Sequence, residues 1–364
     1  MAAVLPLLLF VQAAALPAAT KSEKEIAIAP VGPMAITYVL HFAPEPRGDV
    51  AKQARELLQS KFPTLKRLTR LDEGVREPAV YVAVLNMKAK GFEPPSIDSL
   101  KYYGRGVTRE QAEAMQKSTV AAAVTFTYRT ADLSTSLSQQ NAVMKELASR
   151  TAGLIWDVET RELYTPEALG QRRLGPPDHG FPDVRDHITI HAYKANEYVR
   201  AITLGMKKFG LPDIVIDEFA WSLNNQMGNT IDLFAQSLIE GATPTLGAYD
   251  FDVSKTKHAK LRAVYEKNLL DGAQPVALLT LADAIPDKGD PDNRLLELRF
   301  DRYAGKTVHE KHQKLPVPSM VLSTRPLASS TTTRSLPPAN ARGSDSRRFA
   351  KPSTRVLSPA NEFY

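Results

Sequence analysis

The alternation of strand-like and helix-like segments is the feature that most limits how this chain can fold. In the first half, runs rich in branched and aromatic residues at 34–42, 80–87 and 121–129 predict strands. Between them, Asp49 can cap an apolar helical stripe, and Thr108 with Gln111 forms a capping-box pattern. The order strand, helix, strand, helix, strand favours an α+β sandwich, with helices covering one face of a sheet.

The second half repeats this mixture after a turn-rich segment, 172–183, that we take as a domain boundary. HITIHAY and YVRAITL are separated by KANE and predict a hairpin, with Asn196 available for a left-handed position. A strand, DIVI, then precedes a long helix over 219–240 that stops at Gly241. We therefore predict an α+β fold of two related, mainly antiparallel units, at 26–172 and 184–314.

The composition changes at Leu315, where Ser, Thr, Pro and Arg dominate to the end of the chain. This composition predicts a disordered tail over 315–364. The tail carries seven of the Lys and Arg residues and two acidic residues, so it accounts for most of the formal charge of +6. We therefore expect no nucleic-acid binding by the folded part. Either a disrupted reading frame after Lys314 or a natural basic tail explains the change.

The first twenty residues form an apolar run that ends in small residues, with Ala13 to Ala15 fitting an A-x-A cleavage pattern. We predict a signal peptide at 1–20 and a periplasmic or secreted protein. The first basic residue is Lys21, which departs from the usual pattern, so an ordinary apolar helix in a cytoplasmic protein is the alternative. The run is too short to predict a membrane-spanning helix.

Several chemistries are absent from the sequence. The chain has no cysteine, which excludes disulfides, thiolate metal sites and cysteine nucleophiles. Gly104-Arg105-Gly106 lacks the third glycine of a dinucleotide-binding loop, and neither a P-loop nor G-x-S-x-G occurs. We predict no cofactor.

His187 and His191 are the first candidates for a catalytic or metal site. Alternation along a strand places them on one face. A metal there needs a third ligand, such as His179 or Asp186. Solvated side chains on an exposed sheet face are the simpler interpretation. The acids Asp217 and Glu218 complete the group of candidate catalytic residues.

The acidic loop DAIPDKGDPDN is the second candidate, with Asp287, Asp290 and Asp292 as possible metal ligands. Oxygen clusters of this kind suit hard cations, but the spacing is not that of a calcium loop, so a polar turn is the simpler interpretation. His309 and His312 lie one residue too close for a zincin helix, which needs histidines at i and i+4.

The elements T-L-G-M at 203–206, F-G-L-P-D at 209–213 and G-D-P-D-N-R-L at 289–295 resemble a bacterial family that carries domains of unknown function. The resemblance covers roughly 153–300 and implies no catalytic residues. It also implies that similar chains continue into another domain after Lys314. In physical terms, Gly205 and Gly210 allow a left-handed backbone, and Pro212 fixes the entry of the next strand. We expect Asp217 and Glu218 at the start of the long helix.

Taken with the absent motifs, these features predict an exported, non-enzymatic α+β protein that binds a protein partner or ligand. The alternative is a metal-dependent or hydrolase-like enzyme that uses the His187 and His191 face with nearby acids. A binding protein should expose an apolar patch, whereas an enzyme should gather these side chains in a deep pocket.

Overall fold

A computed structural model gives the fold as two seven-stranded sheets with eight helices among the described residues. The described residues are 27–71, 77–86, 93–178, 180–195, 197–268, 276–302 and 359–360. The first sheet contains β1 (Met34–Phe42), β2 (Lys66–Arg67), β3 (Ala79–Asn86), β4 (Gly104–Arg105), β5 (Val120–Tyr128), β6 (Gly153–Asp157) and β7 (Glu162–Tyr164). The second contains β8 (Thr189–Ala195), β9 (Tyr198–Leu204), β10 (Asp213–Phe219), β11 (Gly247–Asp252), β12 (Val276–Asp283), β13 (Leu295–Arg299) and β14 (Pro359–Ala360).

The helices lie between strands in chain order. They are α1 (Val50–Lys61), α2 (Ile97–Tyr103), α3 (Arg109–Met115), α4 (Leu133–Thr151), α5 (Pro166–Arg173), α6 (Val184–His187), α7 (Asn224–Ile239) and α8 (Ala259–Asn268). The first sheet has the order β2-β3-β5-β1-β6-β7-β4, and the second has β11-β12-β13-β10-β9-β8-β14. Most neighbouring strands are antiparallel, and β10 with β13 is the longest parallel pair in the described part. The predicted α+β class with mainly antiparallel sheets is confirmed.

Local signals at helix starts act as the sequence predicts. Asp49 accepts a hydrogen bond from the Lys52 amide at the start of α1. Thr108 and Gln111 form the complete capping box of α3, and Thr165 caps α5 ahead of a proline in its first turn. These caps satisfy amides that have no partner within the helix, which is why a few adjacent residues suffice to predict them.

Three local predictions are wrong. His187 ends the short helix α6 and does not share a strand face with His191. Asp217 and Glu218 lie at the end of strand β10, before the long helix begins, and Glu218 has a left-handed φ of 56° beside a bulge in the pairing with β9. The long helix α7 begins at Asn224, where we expected a helix from position 219.

The two sheets draw their strands from separate parts of the chain but share one hydrophobic core. A single cluster of buried side chains contains residues of both sheets, including Tyr38 and Phe126 from the first and Ile214 and Leu296 from the second. Across this contact, the Tyr128 hydroxyl donates to the Lys208 carbonyl at 2.7 Å. The division into domains at 172–183 stays a prediction.

Several predictions fall outside the described residues. They concern the signal peptide at 1–20, the tail at 315–364, His179, Asn196, His309 and His312. Of the tail, only Pro359 and Ala360 are described, and they pair in parallel with Ala192 and Tyr193 of β8. Within the described part of the chain, no helix combines the length and apolar character needed to cross a membrane.

Candidate functional site

Four charged side chains without solvent exposure meet where the two halves of the chain touch. Asp157 ends β6, Glu162 begins β7, Arg173 ends α5, and Lys208 lies in a 3-10 turn that follows β9. We call these four residues the junction cluster. Burial of ionised groups is costly unless each has a partner, so their contacts are the first clue to their role.

Backbone geometry positions Lys208. The 3-10 turn Met206–Phe209 lies between two left-handed glycines, Gly205 with φ 113° and Gly210 with φ 68°. A Cβ atom on Gly205 would lie 2.9 Å from the carbonyl oxygen of His187, so a side chain there meets backbone as well as strain. The two glycines expected from the sequence to turn the chain are the ones that direct Lys208 into the core.

Asp157 pairs with cations from both halves. Its carboxylate accepts from Lys208 Nζ at 2.5 Å and from Arg173 Nη1, while its other oxygen accepts from the Glu159 amide at 3.0 Å. Burial alone would raise the pKa of Asp157, but the charges of Lys208 and Arg173 outweigh it and hold the pKa below its ordinary value. Burial lowers the pKa of Lys208 to about 8, with Arg173 acting in the same direction and Asp157 against it. Asp157 thus stabilises the charged form of Lys208 against the effect of burial.

Glu162 is surrounded by three guanidinium groups. Arg105 donates to its Oε1 from Nη2 at 2.7 Å and from Nε at 2.9 Å, and Arg172 Nη1 donates to the same oxygen at 3.0 Å. Arg173 lies 3.6 Å from the other oxygen, which accepts a hydrogen bond from the Tyr164 hydroxyl. Burial would raise the pKa of Glu162, yet these arginines lower it to about 2. We call Arg105 and Arg172, which retain solvent exposure, the arginine rim.

His187 is buried beside the junction cluster. Its carbonyl accepts from Lys208 Nζ at 3.0 Å, and its ring meets the edge of Phe209. Its Nδ1 has no hydrogen-bond partner among the described residues. Burial, followed by the charges of Arg173 and Lys208, holds the pKa of His187 well below its ordinary value. The simpler interpretation, in which His187 is solvated on an exposed sheet face, is therefore wrong, because the side chain is buried.

The structure does not gather the four candidate catalytic residues. His191 stacks on Tyr103 with ring centroids 4.9 Å apart, and burial lowers its pKa to about 4. Asp217 accepts from Arg200 Nη1 at 2.7 Å, and Glu218 is exposed. In the described part of the chain, no side-chain hydrogen bond, ion pair or ring contact joins any two of these four residues.

The acidic loop is held by an arginine. Arg200 donates to Asp290 at 2.8 Å and lies 3.5 Å from Asp287, in addition to its bond with Asp217. Arg200 also donates to the Ile285 carbonyl, and together these residues form what we call the loop cluster. Asp292 is exposed. Over the described ranges, no group of three or more His, Asp or Glu side chains is placed to hold a metal ion.

The sequence analysis missed the junction cluster. Asp157 and Lys208 are 51 positions apart, and neither belongs to a motif of fixed spacing. A usable signal was present in their surroundings: Asp157 ends a buried strand, and Lys208 lies between the two glycines of the predicted turn. The comparisons with known proteins add no assignment, since no protein family, no curated protein and no solved structure matches the chain.

Proposed function

We propose that this protein is a non-enzymatic binding protein that takes up an extended segment of a protein partner along the outer edge of strand β3, beyond the residues that pair with β2. The observation that carries the proposal is the sequence and position of this strand. AVYVAVLN contains no charged residue and no proline, and Val84 is 47% exposed. Natural edge strands are usually protected by charges, proline, bulges or short length, and β3 has none of these features.

Among the described residues, only the first part of β3 has a strand beside it on the outer side. Lys66 and Arg67 of β2 pair with Ala79 and Val80, and the Leu68 amide donates to the Val80 carbonyl at 2.8 Å. Because successive residues of a strand direct their backbone groups to opposite sides, Val82 and Val84 direct theirs to the same side as Val80. No further strand of the described part lies along that edge. A partner strand can extend the sheet there.

The buried position of the charged groups supports binding over catalysis. The junction cluster brings together four buried charged side chains, and none of them is exposed to solvent. No contact among the described residues favours the enzyme alternative, so we do not propose it. The apolar run at 1–20 supports export, and a mature chain beginning near Leu16 in an intact-mass spectrum is the expected result.

The test is site-specific crosslinking in the native host. A photoreactive amino acid at position 84 should crosslink one partner, and the same group at Val158, which is 40% exposed in a turn, should not. Val84→Lys should abolish capture of that partner, because a charge on an edge strand opposes strand addition. Val158→Lys is the matched control and should capture it as the wild type does. Equal capture by both variants would refute binding at β3.

A further inference from the structure

We propose that the arginine rim binds a small oxyanion, a carboxylate or phosphate group, through the N–H groups that Arg105 and Arg172 do not use for Glu162. This site is separate from the proposed partner site. Arg105 belongs to β4, at the opposite end of the first sheet from β3. The two proposals can therefore fail independently.

Charge imbalance is the first argument. The junction cluster and the arginine rim together contain four cationic side chains, namely Arg105, Arg172, Arg173 and Lys208. Only two carboxylates, Asp157 and Glu162, pair with them at 3.0 Å or less. Each carboxylate is therefore shared by two cations, and the bonded groups carry two more positive charges than negative ones in a partly buried setting, where solvent screens poorly.

Glu159 offsets part of this excess near Lys208, but the acids beside the arginine rim do not offset the rest. Asp186 lies 4.0 Å from Arg172 Nε, beyond hydrogen-bond distance. Asp183 is already paired with Arg185 through two hydrogen bonds, at 2.6 and 2.9 Å. Arg161, which lies in the same region and donates to the Gly289 carbonyl, adds a further positive charge.

Donor geometry is the second argument. A guanidinium carries five N–H donors, and Arg105 uses three nitrogens for Glu162 and the Tyr102 carbonyl. Arg172 donates to Glu162 and to the Arg185 carbonyl. Each Nη atom has a second N–H, and the side chains of Arg105 and Arg172 are 36% and 21% exposed. Because Arg105 and Arg172 both bind Glu162, their remaining N–H groups are available to a second oxyanion.

The fold holds both arginines in place before any anion binds. β4 pairs with β7, and the Thr165 amide donates to the Arg105 carbonyl at 3.1 Å. Thr165 also caps α5, at whose other end Arg172 lies over the Tyr164 ring. Because both arginines are tied to the same β7–α5 unit, little conformational entropy is lost on binding.

The experiment is isothermal titration of the full chain with inorganic phosphate and, separately, with acetate, at constant ionic strength set by sodium chloride. We expect saturable binding of at least one anion by the wild type. Arg105→Gln and Arg172→Gln should each weaken it by about tenfold, because each removes charge-assisted donors. Arg109→Gln is the matched control, since Arg109 is exposed on α3 and pairs with Glu113. It should bind as the wild type does.

Two further variants guard against misfolding. Arg105→Lys and Arg172→Lys keep the charge that Glu162 requires but lack the planar fork, so they should fold and bind the anion several-fold more weakly. Circular dichroism spectra that match the wild type establish the fold. Absence of saturable binding by the wild type to both anions would overturn the proposal, and so would equal affinity in the folded rim variants and in Arg109→Gln.

Discussion

Two arginine-carboxylate clusters in this protein use the same ion pairs in different surroundings. In the junction cluster, the side chains of Arg173, Asp157 and Lys208 are all without solvent exposure. In the loop cluster, Arg200 is also buried, but Asp217 and Asp287 are 29% and 55% exposed. Water can replace a lost partner in the second cluster and not in the first. The comparison therefore predicts that the junction cluster holds the two halves together, whereas the loop cluster fixes one loop on a sheet.

The junction cluster should give the largest effect. Asp157→Asn removes the charge that compensates Lys208 and Arg173, and we expect the free energy of unfolding to fall by about 3–5 kcal/mol. Urea denaturation followed by tryptophan fluorescence measures this, since Trp156 is adjacent.

The control for this variant is Glu146→Gln, which breaks a surface pair with Lys61 and should cost less than about 1 kcal/mol. If Asp157→Asn costs no more than this control, the junction cluster does not carry the contact between the halves.

The loop cluster should give an intermediate effect. Asp290→Asn weakens a charge-assisted bond to Arg200, but Arg200 keeps Asp217 and Asp287, so we expect a loss of about 2 kcal/mol. Asp292→Asn, at an exposed position of the same loop, is the matched control. Urea denaturation of both variants gives the two values. A loss as large as that of Asp157→Asn would contradict the distinction between the clusters.

The smallest expected effect depends on pH and concerns His187. Its pKa is lower in the folded protein than in the unfolded chain, so the unfolded chain takes up a proton below pH about 6.5 and the folded protein does not. This contribution to stability is present above that pH. It should fall by less than about 1 kcal/mol between pH 7 and pH 6.

His187→Gln isolates this contribution. Asp186 and Asp213 have pKa values raised to about 6, mainly by burial, so their contributions are lost as pH rises through 6, in the opposite direction. Both proteins carry these groups, and subtraction of the two stability curves removes them. The wild type should lose stability relative to the variant from pH 7 to pH 5. A constant difference would show that His187 takes up its proton within the fold.

The part of the candidate site that could be predicted is its backbone. Gly205 and Gly210 were expected to take left-handed conformations, and both do. The side chains that these turns bring together could not be predicted, because Asp157 meets Lys208 only after two sheets have packed. His187 is a second residue whose place the local sequence did not predict. Its neighbours alternate as in a strand, yet the residue ends a helix that Asp183 caps.

The sequence by itself determined the α+β class and the caps at Asp49 and Thr108, because each depends on residues within a few positions. The tertiary structure alone decided which charges are buried and which edge is open. Burial and ion pairing depend on contacts between segments far apart in the chain. The local pattern of residues does not identify which distant charge will be the partner.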